Sequence, residues 1–317
     1  MAILIISFTL SFLMLIGLLK TNLANIALDE PNHRSLHTAL TPRTGGLAIM
    51  LGVLIAFILL GGLWALITIV AGFMLVSLMD DVHGLQVRWR LAIQLLLCIG
   101  FVCFFMLGQP WWVLLLAVPA LVWMTNLYNF MDGSDGLAGG MGLFGFGACA
   151  LASYGVGDVQ LAIMSASVSA SCLAFLFFNF HPAKIFMGDA GSIPLGFLAG
   201  AIGLYGWQHA LWPMWFPALV FSPFILDATI TLLKRALRHE KLWQAHREHY
   251  YQRLIQMGWG HKKTAIAEYI LMLSIAICAL VMLKLSYLWV ILLLLFWSLV
   301  YFFIMLKIDK SWKQRLP

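Results

Sequence analysis

The chain has 317 residues, of which 62% are hydrophobic and 10% charged, with a formal net charge of +6. So few charges cannot cover a water-soluble surface, which excludes a soluble catalytic domain and leaves an all-α, polytopic integral membrane protein. The five cysteines all lie inside apolar runs without Cys-x-x-Cys spacing, which argues against a disulfide framework or a zinc site and leaves them as small buried hydrophobes.

Stretches long enough to cross about 30 Å of hydrocarbon are expected at 3–20, 45–63, 64–79, 91–108, 111–128, 137–154, 160–179, 191–207, 214–233, 264–283 and 286–306, which makes eleven helices. The first reads as a retained helix, since no basic segment precedes it and no small-residue cleavage site follows. Their parity places loops 21–44, 80–90, 129–136, 180–190 and 234–263, with the C-terminal tail, on one side and the N-terminus on the other. Of the nineteen Lys and Arg residues, only Lys284 falls on the N-terminal side, so the loop side is expected to be cytoplasmic. Acids sort the same way, with Asp158 the exception, and this the positive-inside rule does not require. No internal repeat is visible, and 1–317 reads as a single domain whose cytoplasmic loops carry the active site.

In chain order, the first of these loops carries Arg34-Ser-Leu-His37 and Thr41-Pro42-Arg43-Thr-Gly45-Gly46. Arg34, His37 and Arg43 suit an anionic group, although juxtamembrane cations also serve simply to fix topology. The third span ends in Asp80-Asp81, two negative charges at a helix C-terminus whose dipole is already negative. Something positive must offset them. The candidates are a divalent cation or Arg88 and Arg90, and Mg²⁺ is favoured because it takes one or two carboxylates together with substrate phosphates.

The run Asn126-Leu-Tyr-Asn129-Phe-Met-Asp132-Gly-Ser-Asp135-Gly spaces four polar groups three residues apart at the end of the fifth span. Such groups gain nothing from lipid and mark a functional site. The glycines and alanines of spans six to eight read as close helix packing, and no P-loop or dinucleotide fingerprint is present. Asp189, just before the eighth span, suits a helix N-terminus by itself, or a metal in company with the other acids. In loop 234–263, eight cations face two acids, a composition suited to anionic headgroups. His246, His249 and Arg253 within it also suit phosphate. A His246–His249 metal pair lacks a third ligand.

Taken together, these motifs resemble the polyprenyl-phosphate N-acetylhexosamine-1-phosphate transferases, including the O-antigen-initiating type. The likeness rests on Arg34-x-x-His37 with Pro42-Arg-x-Gly-Gly46, Asp80-Asp81-x-x-Gly-Leu, Asn126-x-x-Asn129-x-x-Asp132-Gly-x-Asp135-Gly-Leu, Met187-Gly188-Asp189-x-Gly-Ser192, and the His-rich final loop. It implies transfer of sugar-1-phosphate from a UDP-N-acetylhexosamine to undecaprenyl phosphate at the cytoplasmic face of a bacterial inner membrane. It further implies Mg²⁺, with Mn²⁺ as a substitute, and release of UMP as the first step of O-antigen, lipopolysaccharide or related surface glycan synthesis. The partners expected are these two substrates and the bilayer, with a homodimer as the assembly to test for and no nucleic acid.

By this resemblance Asp80 and Asp81 serve the Mg²⁺ and acceptor-phosphate region and Asp189 is a metal ligand. Asn126, Asn129, Asp132 and Asp135 shape the nucleotide-sugar and catalytic pocket, and His249 and Arg253 stand near the donor diphosphate. Tyr251 and Gln252 replace two histidines of the family pattern, which points to modified donors such as UDP-linked N-acetylfucosamine or N-acetylquinovosamine. The attacking lipid phosphate is either already ionised or deprotonated by Asp80 or Asp81. The competing class is an ion-coupled transporter, whose carboxylates belong near the membrane midplane rather than on one side.

Overall fold

The structure, a computed structural model, describes residues 1–21, 24, 26–29, 40–241, 244 and 246–315. Arg34 and His37 lie outside the described residues. The helices are α1 Ala2–Lys20, α2 Gly45–Leu60, α3 Trp64–His83, α4 Val87–Phe105, α5 Trp111–Phe130, α6 Leu137–Gly155 and α7 Val159–Asn179. They continue as α8 Asp189–Gln208, α9 Trp215–Val220, α10 Ser222–Leu237, α11 Tyr250–Leu254, α12 Gly260–Met282 and α13 Tyr287–Lys313.

Among the described residues, nine helical stretches are long and apolar enough to cross a membrane, with Tyr250–Met282 counted as one. The all-α membrane architecture therefore stands. Two of the eleven expected spans fall outside those nine. The α2 helix has only 16 residues, and the expected span 214–233 is broken into α9 and α10. The break has a local cause, because Pro223 lies in the first turn of α10, where its missing N–H is tolerated, and cannot continue the hydrogen-bond ladder of α9. Loop 234–263 is also more helical than its composition implies. It contains the end of α10, all of α11 and the start of α12, with the bend between the last two taken at Gly258 and Gly260, both at positive φ.

Polar groups inside the bundle pair with one another, as they must where no water is at hand. The α1 helix lies along α7 through serines: Ser7 Oγ donates to the Ser167 carbonyl at 3.0 Å and Ser11 Oγ to Ser171 Oγ at 3.0 Å. The other close packings that matter for function join α6 to α7, α5 to α8 and α3 to α8. They bring the C-terminal ends of α3, α5 and α7 and the N-terminal ends of α4, α6 and α8 to one end of the bundle.

Backbone contacts lock two distant motifs together at that end. Leu28–Asp29 pairs antiparallel with Thr41–Pro42. Phe186 N–H donates to the Pro42 carbonyl at 2.7 Å, Gly45 N–H to the Phe186 carbonyl at 2.9 Å and Gly46 N–H to the Met187 carbonyl at 2.8 Å. These bonds need the start of α2 to touch the start of α8. A Cβ on Gly46 would sit 2.2 Å from the Gly191 nitrogen, so only glycine fits. Gly46→Ala is expected to force the two helix starts apart at a cost of about 1–3 kcal/mol, visible as a lower Tm in detergent. A wild-type Tm would show that the two helices do not meet there.

Candidate active site

Asp80 and Asp81 occupy the last turn of α3, where unpaired carbonyls already make the field negative. Each carboxylate is offset separately. Arg90, in the first turn of α4, donates Nη1 to Asp80 Oδ2 at 2.7 Å and reaches Asp189 Oδ2 at 3.4 Å, and Leu85 N–H donates to Asp80 Oδ1 at 2.7 Å. Asp81 instead accepts from the backbone of α8, Ala190 N–H at 2.9 Å and Asp189 N–H at 3.3 Å. The acid end of one helix thus seals the amide end of another. Arg43 closes the group, with Nη2 donating to the Asp81 carbonyl at 2.7 Å and Nε 3.6 Å from Asp81 Oδ1. Arg90, one of the two arginines expected as the alternative to a cation, together with Arg43 and the α8 amides therefore provides much of the positive field these carboxylates need. Arg88 takes no part and lies over the Trp89 ring, 5.7 Å from its centroid.

Asn129, in the last turn of α5, donates Nδ2 to Asp189 Oδ1 at 2.7 Å and to Ser192 Oγ at 2.9 Å. It orients the Asp189 carboxylate. Asn126, three residues earlier, bonds Gln94 Oε1 at 2.9 Å and the Val122 carbonyl at 2.8 Å, tying α5 to α4 outside the cavity.

Beyond α5 the chain turns through Asp132–Gly136. Asp135 Oδ2 bonds His181 Nδ1 at 2.7 Å and accepts from Ala183 N–H at 3.2 Å, while His261 Nδ1 stands 3.8 Å from Oδ1 and 3.0 Å from Ser134 Oγ. Asn179 holds the loop by accepting from Gly136 N–H at 2.8 Å and donating to the Ile185 carbonyl at 2.9 Å.

These elements enclose a cavity of about 170 Å³ whose charged lining is Asp29, Asp81, Asp132, Asp135 and Asp189 against Arg43, with His261 beside them. Five carboxylates face one guanidinium. Asp132 is the least compensated: burial, together with the facing carboxylates of Asp189, Asp81 and Asp29, pushes its acid well above the usual range, opposed by one hydrogen bond from the Gly188 backbone. No three His, Cys, Asp or Glu side chains among the described residues form a ready metal cage. The donor set nevertheless suits Mg²⁺, because that ion usually binds through one or two carboxylates and completes its shell with water and substrate phosphate oxygens. Of the carboxylates expected to hold it, Asp81 and Asp189 line the cavity and Asp80 does not, and Asp132 on the same wall could join Asp189 in holding it. The poor charge balance around Asp132 is the observation that favours it.

The structure does not bring His249 and Arg253 into this cavity. Both are buried. His249 Nδ1 is 3.2 Å from Asp227 Oδ1, and the same carboxylate accepts from Tyr250 N–H at 2.9 Å and Tyr251 N–H at 3.0 Å. Asp227 thus takes the free amides at the start of α11 and turns the imidazole inward. Arg253 donates to Asp309 Oδ1 at 2.8 Å and packs over the Tyr250 ring at 5.2 Å. From this second layer α11 braces the site, since Tyr251 donates its hydroxyl to the Phe130 carbonyl at 3.1 Å, where α5 gives way to the Asp132 loop. His246, 4.8 Å from His249 between ring centroids, is pulled down to about 4 by burial and by the neighbouring His249 and Arg235, so it stays neutral near pH 7.

Asp29, Ser134, Asn179, His181, Asp227 and His261 were not singled out in the sequence. Asn179 and His181 had a readable signal, as polar groups at the exit of a span on the loop-rich side. Asp227 had little, being a lone acid inside an apolar stretch. Asp227→Ala is expected to unseal α11 at a cost of about 1–3 kcal/mol, and trypsin should then cut faster at Arg247 and Arg253. A wild-type cleavage pattern would refute the capping role.

Comparison with known proteins adds a separate line. The description "Glycosyl transferase family 4" matches residues 63–206, the stretch that carries every acid from Asp80 to Asp189. A Bacillus subtilis (strain 168) protein named as a probable undecaprenyl-phosphate N-acetylglucosaminyl 1-phosphate transferase is 33% identical over 293 residues, covering 85% of this chain and 81% of its own. A Mycobacterium leprae decaprenyl-phosphate N-acetylglucosaminephosphotransferase is 31% identical, with 81% and 76% covered. A Shouchella clausii phospho-N-acetylmuramoyl-pentapeptide-transferase is 29% identical, with 75% and 82% covered.

Proposed function

This chain belongs to glycosyl transferase family 4, among the polyprenyl-phosphate N-acetylhexosamine-1-phosphate transferases, and from that premise we propose the following reaction. It transfers sugar-1-phosphate from a UDP-N-acetylhexosamine to undecaprenyl phosphate. An oxygen of the lipid phosphate attacks the β-phosphorus, the bond to the α-phosphate oxygen breaks, and UMP leaves with that oxygen. The reaction takes place at the cytoplasmic face of a bacterial inner membrane and begins a surface glycan such as O-antigen.

The observation that carries this reading is the cavity with five carboxylates and one guanidinium at the end of the bundle. Two phosphorylated substrates would be repelled by such a wall unless a cation came with them. Mg²⁺, or Mn²⁺ in its place, would bind at Asp132 and Asp189 and supply charge neutralisation on the phosphate oxygens. The protein's own share is positioning. Asn129 and Arg90 orient Asp189, Asp81 fixes the start of α8, Arg43 offers positive charge at the rim, and Asp135 is held by His181 and Ala183. Phosphoryl transfer depends chiefly on such positioning and electrostatics. Deprotonation by Asp80 is disfavoured, because both its oxygens are already engaged. A transporter is disfavoured by the gathering of the carboxylates at helix ends.

For the donor, the Tyr251 hydroxyl and the Gln252 amide oxygen are spent on the Phe130 carbonyl and the His249 N–H. UDP-N-acetylglucosamine is therefore the first donor to test, with the 6-deoxy sugars beside it. Purified protein is to be incubated with undecaprenyl phosphate, Mg²⁺ or Mn²⁺, and this panel of UDP-sugars, following UMP and lipid product. Formation of both with at least one donor is expected. Folded protein that forms neither with any of them would refute the reading.

A further inference from the structure

A second cavity, of about 450 Å³, opens between α10, α12 and α13 and shares no lining residue with the first. Its floor is apolar, built from Leu254, Leu271, Met305 and Ile308. Two carboxyls line it, Asp227, which is engaged by the start of α11, and Glu268 of α12, which has no hydrogen-bond or ion-pair partner among the described residues. An ionisable group left this way in a membrane helix calls for a ligand. On the rim stand Lys307, Ser311 and Arg315 of α13. Lys307 is exposed and makes no ion pair among the described residues, and Arg315 spends Nη1 on the Met257 carbonyl at 2.8 Å.

Depth orders these groups. At 1.5 Å per residue, the uncharged run Tyr287–Leu306 of α13 covers about 30 Å, the thickness of the hydrocarbon. Lys307, Ser311 and Arg315 therefore stand in the headgroup layer. On α12, Glu268 lies about 8 Å deeper than Lys263, below the phosphates and at the level of glycerol esters, and Leu271, about a turn further in, lies at acyl depth.

We infer that this cavity binds an anionic diacyl phospholipid, with its phosphate on Lys307 and Arg315, an ester carbonyl at Glu268 and an acyl chain running inward past Leu271. In its acid form the Glu268 hydroxyl donates to that carbonyl. The polyprenyl acceptor fits less well, since its hydrocarbon chain has no polar group to meet Glu268. Moreover, α11 stands between this cavity and the carboxylate cluster, with Asp227 fully engaged by its amides and by His249.

The test needs no transfer reaction. The full chain, delipidated in detergent, is offered equal phosphatidylglycerol and phosphatidylcholine with matched acyl chains, and retained lipid is read by native mass spectrometry. Phosphatidylglycerol should be preferred, and Lys307→Glu should lower that preference about fivefold or more, the effect of one cation near a phosphate. Wild type should also prefer ester-linked over ether-linked phosphatidylglycerol, and Glu268→Leu should erase that second preference. Equal retention of the two headgroups, or a Lys307→Glu protein with wild-type preference, overturns the proposal. So does an ester preference that survives Glu268→Leu. Displacement of the bound phospholipid by stoichiometric undecaprenyl phosphate would assign the cavity to the acceptor instead.

Discussion

Asp189→Asn is expected to lower transfer at saturating substrates about 10²–10³-fold, the usual cost of removing one preorganised charge from a reacting centre, while Tm changes little. The side chain is held from two sides, by Asn129 at 2.7 Å and by Arg90 at 3.4 Å. Asparagine keeps the shape and one acceptor, but its amide must then face either the Asn129 amide or the Arg90 guanidinium, each of which is a donor. The penalty is small for the fold, because losing one negative charge beside Asp81 and Asp132 offsets it. It is large for a centre that, on the proposed function, holds a cation against two phosphorylated substrates. The defect should deepen at limiting Mg²⁺, measured as UMP release across a Mg²⁺ titration. Wild-type turnover at limiting Mg²⁺ would remove Asp189 from the metal assignment.

Much of the site is legible in the sequence, for a physical reason. Carboxylates and carboxamides at the ends of membrane helices gain nothing from lipid, so Asp80, Asp81, Asn126, Asn129, Asp132 and Asp135 stand out without any knowledge of the fold, and Asp189, which by itself suits a helix N-terminus, joins them by company. Counting spans then puts their helix ends on one side, and the structure brings them to one end of the bundle.

The partners of those residues are not legible. Asp81 is satisfied by backbone amides at the start of α8, 108 and 109 positions away, and no local pattern reveals which helix end meets which. The same holds for Asp227, whose three partners at the start of α11 follow 22 to 24 residues later and give an inward direction to His249. Composition marks loop 234–263 as a basic surface. It misses that Arg253 is buried against Asp309, in the part of α13 that continues past its apolar run to Lys313. Broken helices are similarly hidden, since the hydropathy of 214–233 is continuous while Pro223 interrupts its backbone.

Asp132→Asn should separate stability from function more sharply than any other change. The folded protein holds the Asp132 acid above its ordinary range through burial and the carboxylates of Asp189, Asp81 and Asp29. A carboxyl with a raised folded pKa contributes its stability in full below the unfolded value of about 4, and that stability is lost as pH rises through the folded value. With divalent cations removed by chelator, the wild type therefore loses stability as pH rises above that range, because its fold disfavours the ionised acid. The asparagine variant does not, and its Tm should be higher and less dependent on pH above about 4. Adding Mg²⁺ reverses the order of gain. An ion that binds the folded state raises Tm by mass action, and the wild type should gain more than the variant. Transfer should meanwhile fall about 10²–10³-fold. Thermal unfolding in detergent across pH, with chelator and then with Mg²⁺, reads all but the last. A variant no more stable than wild type in chelator would mean that the cavity tolerates the Asp132 charge unaided. An equal Mg²⁺ gain in both proteins would move the cation away from Asp132. If both expectations hold, the strain at Asp132 is what the site keeps in order to draw a cation, and with it the phosphates, into a wall of negative charge.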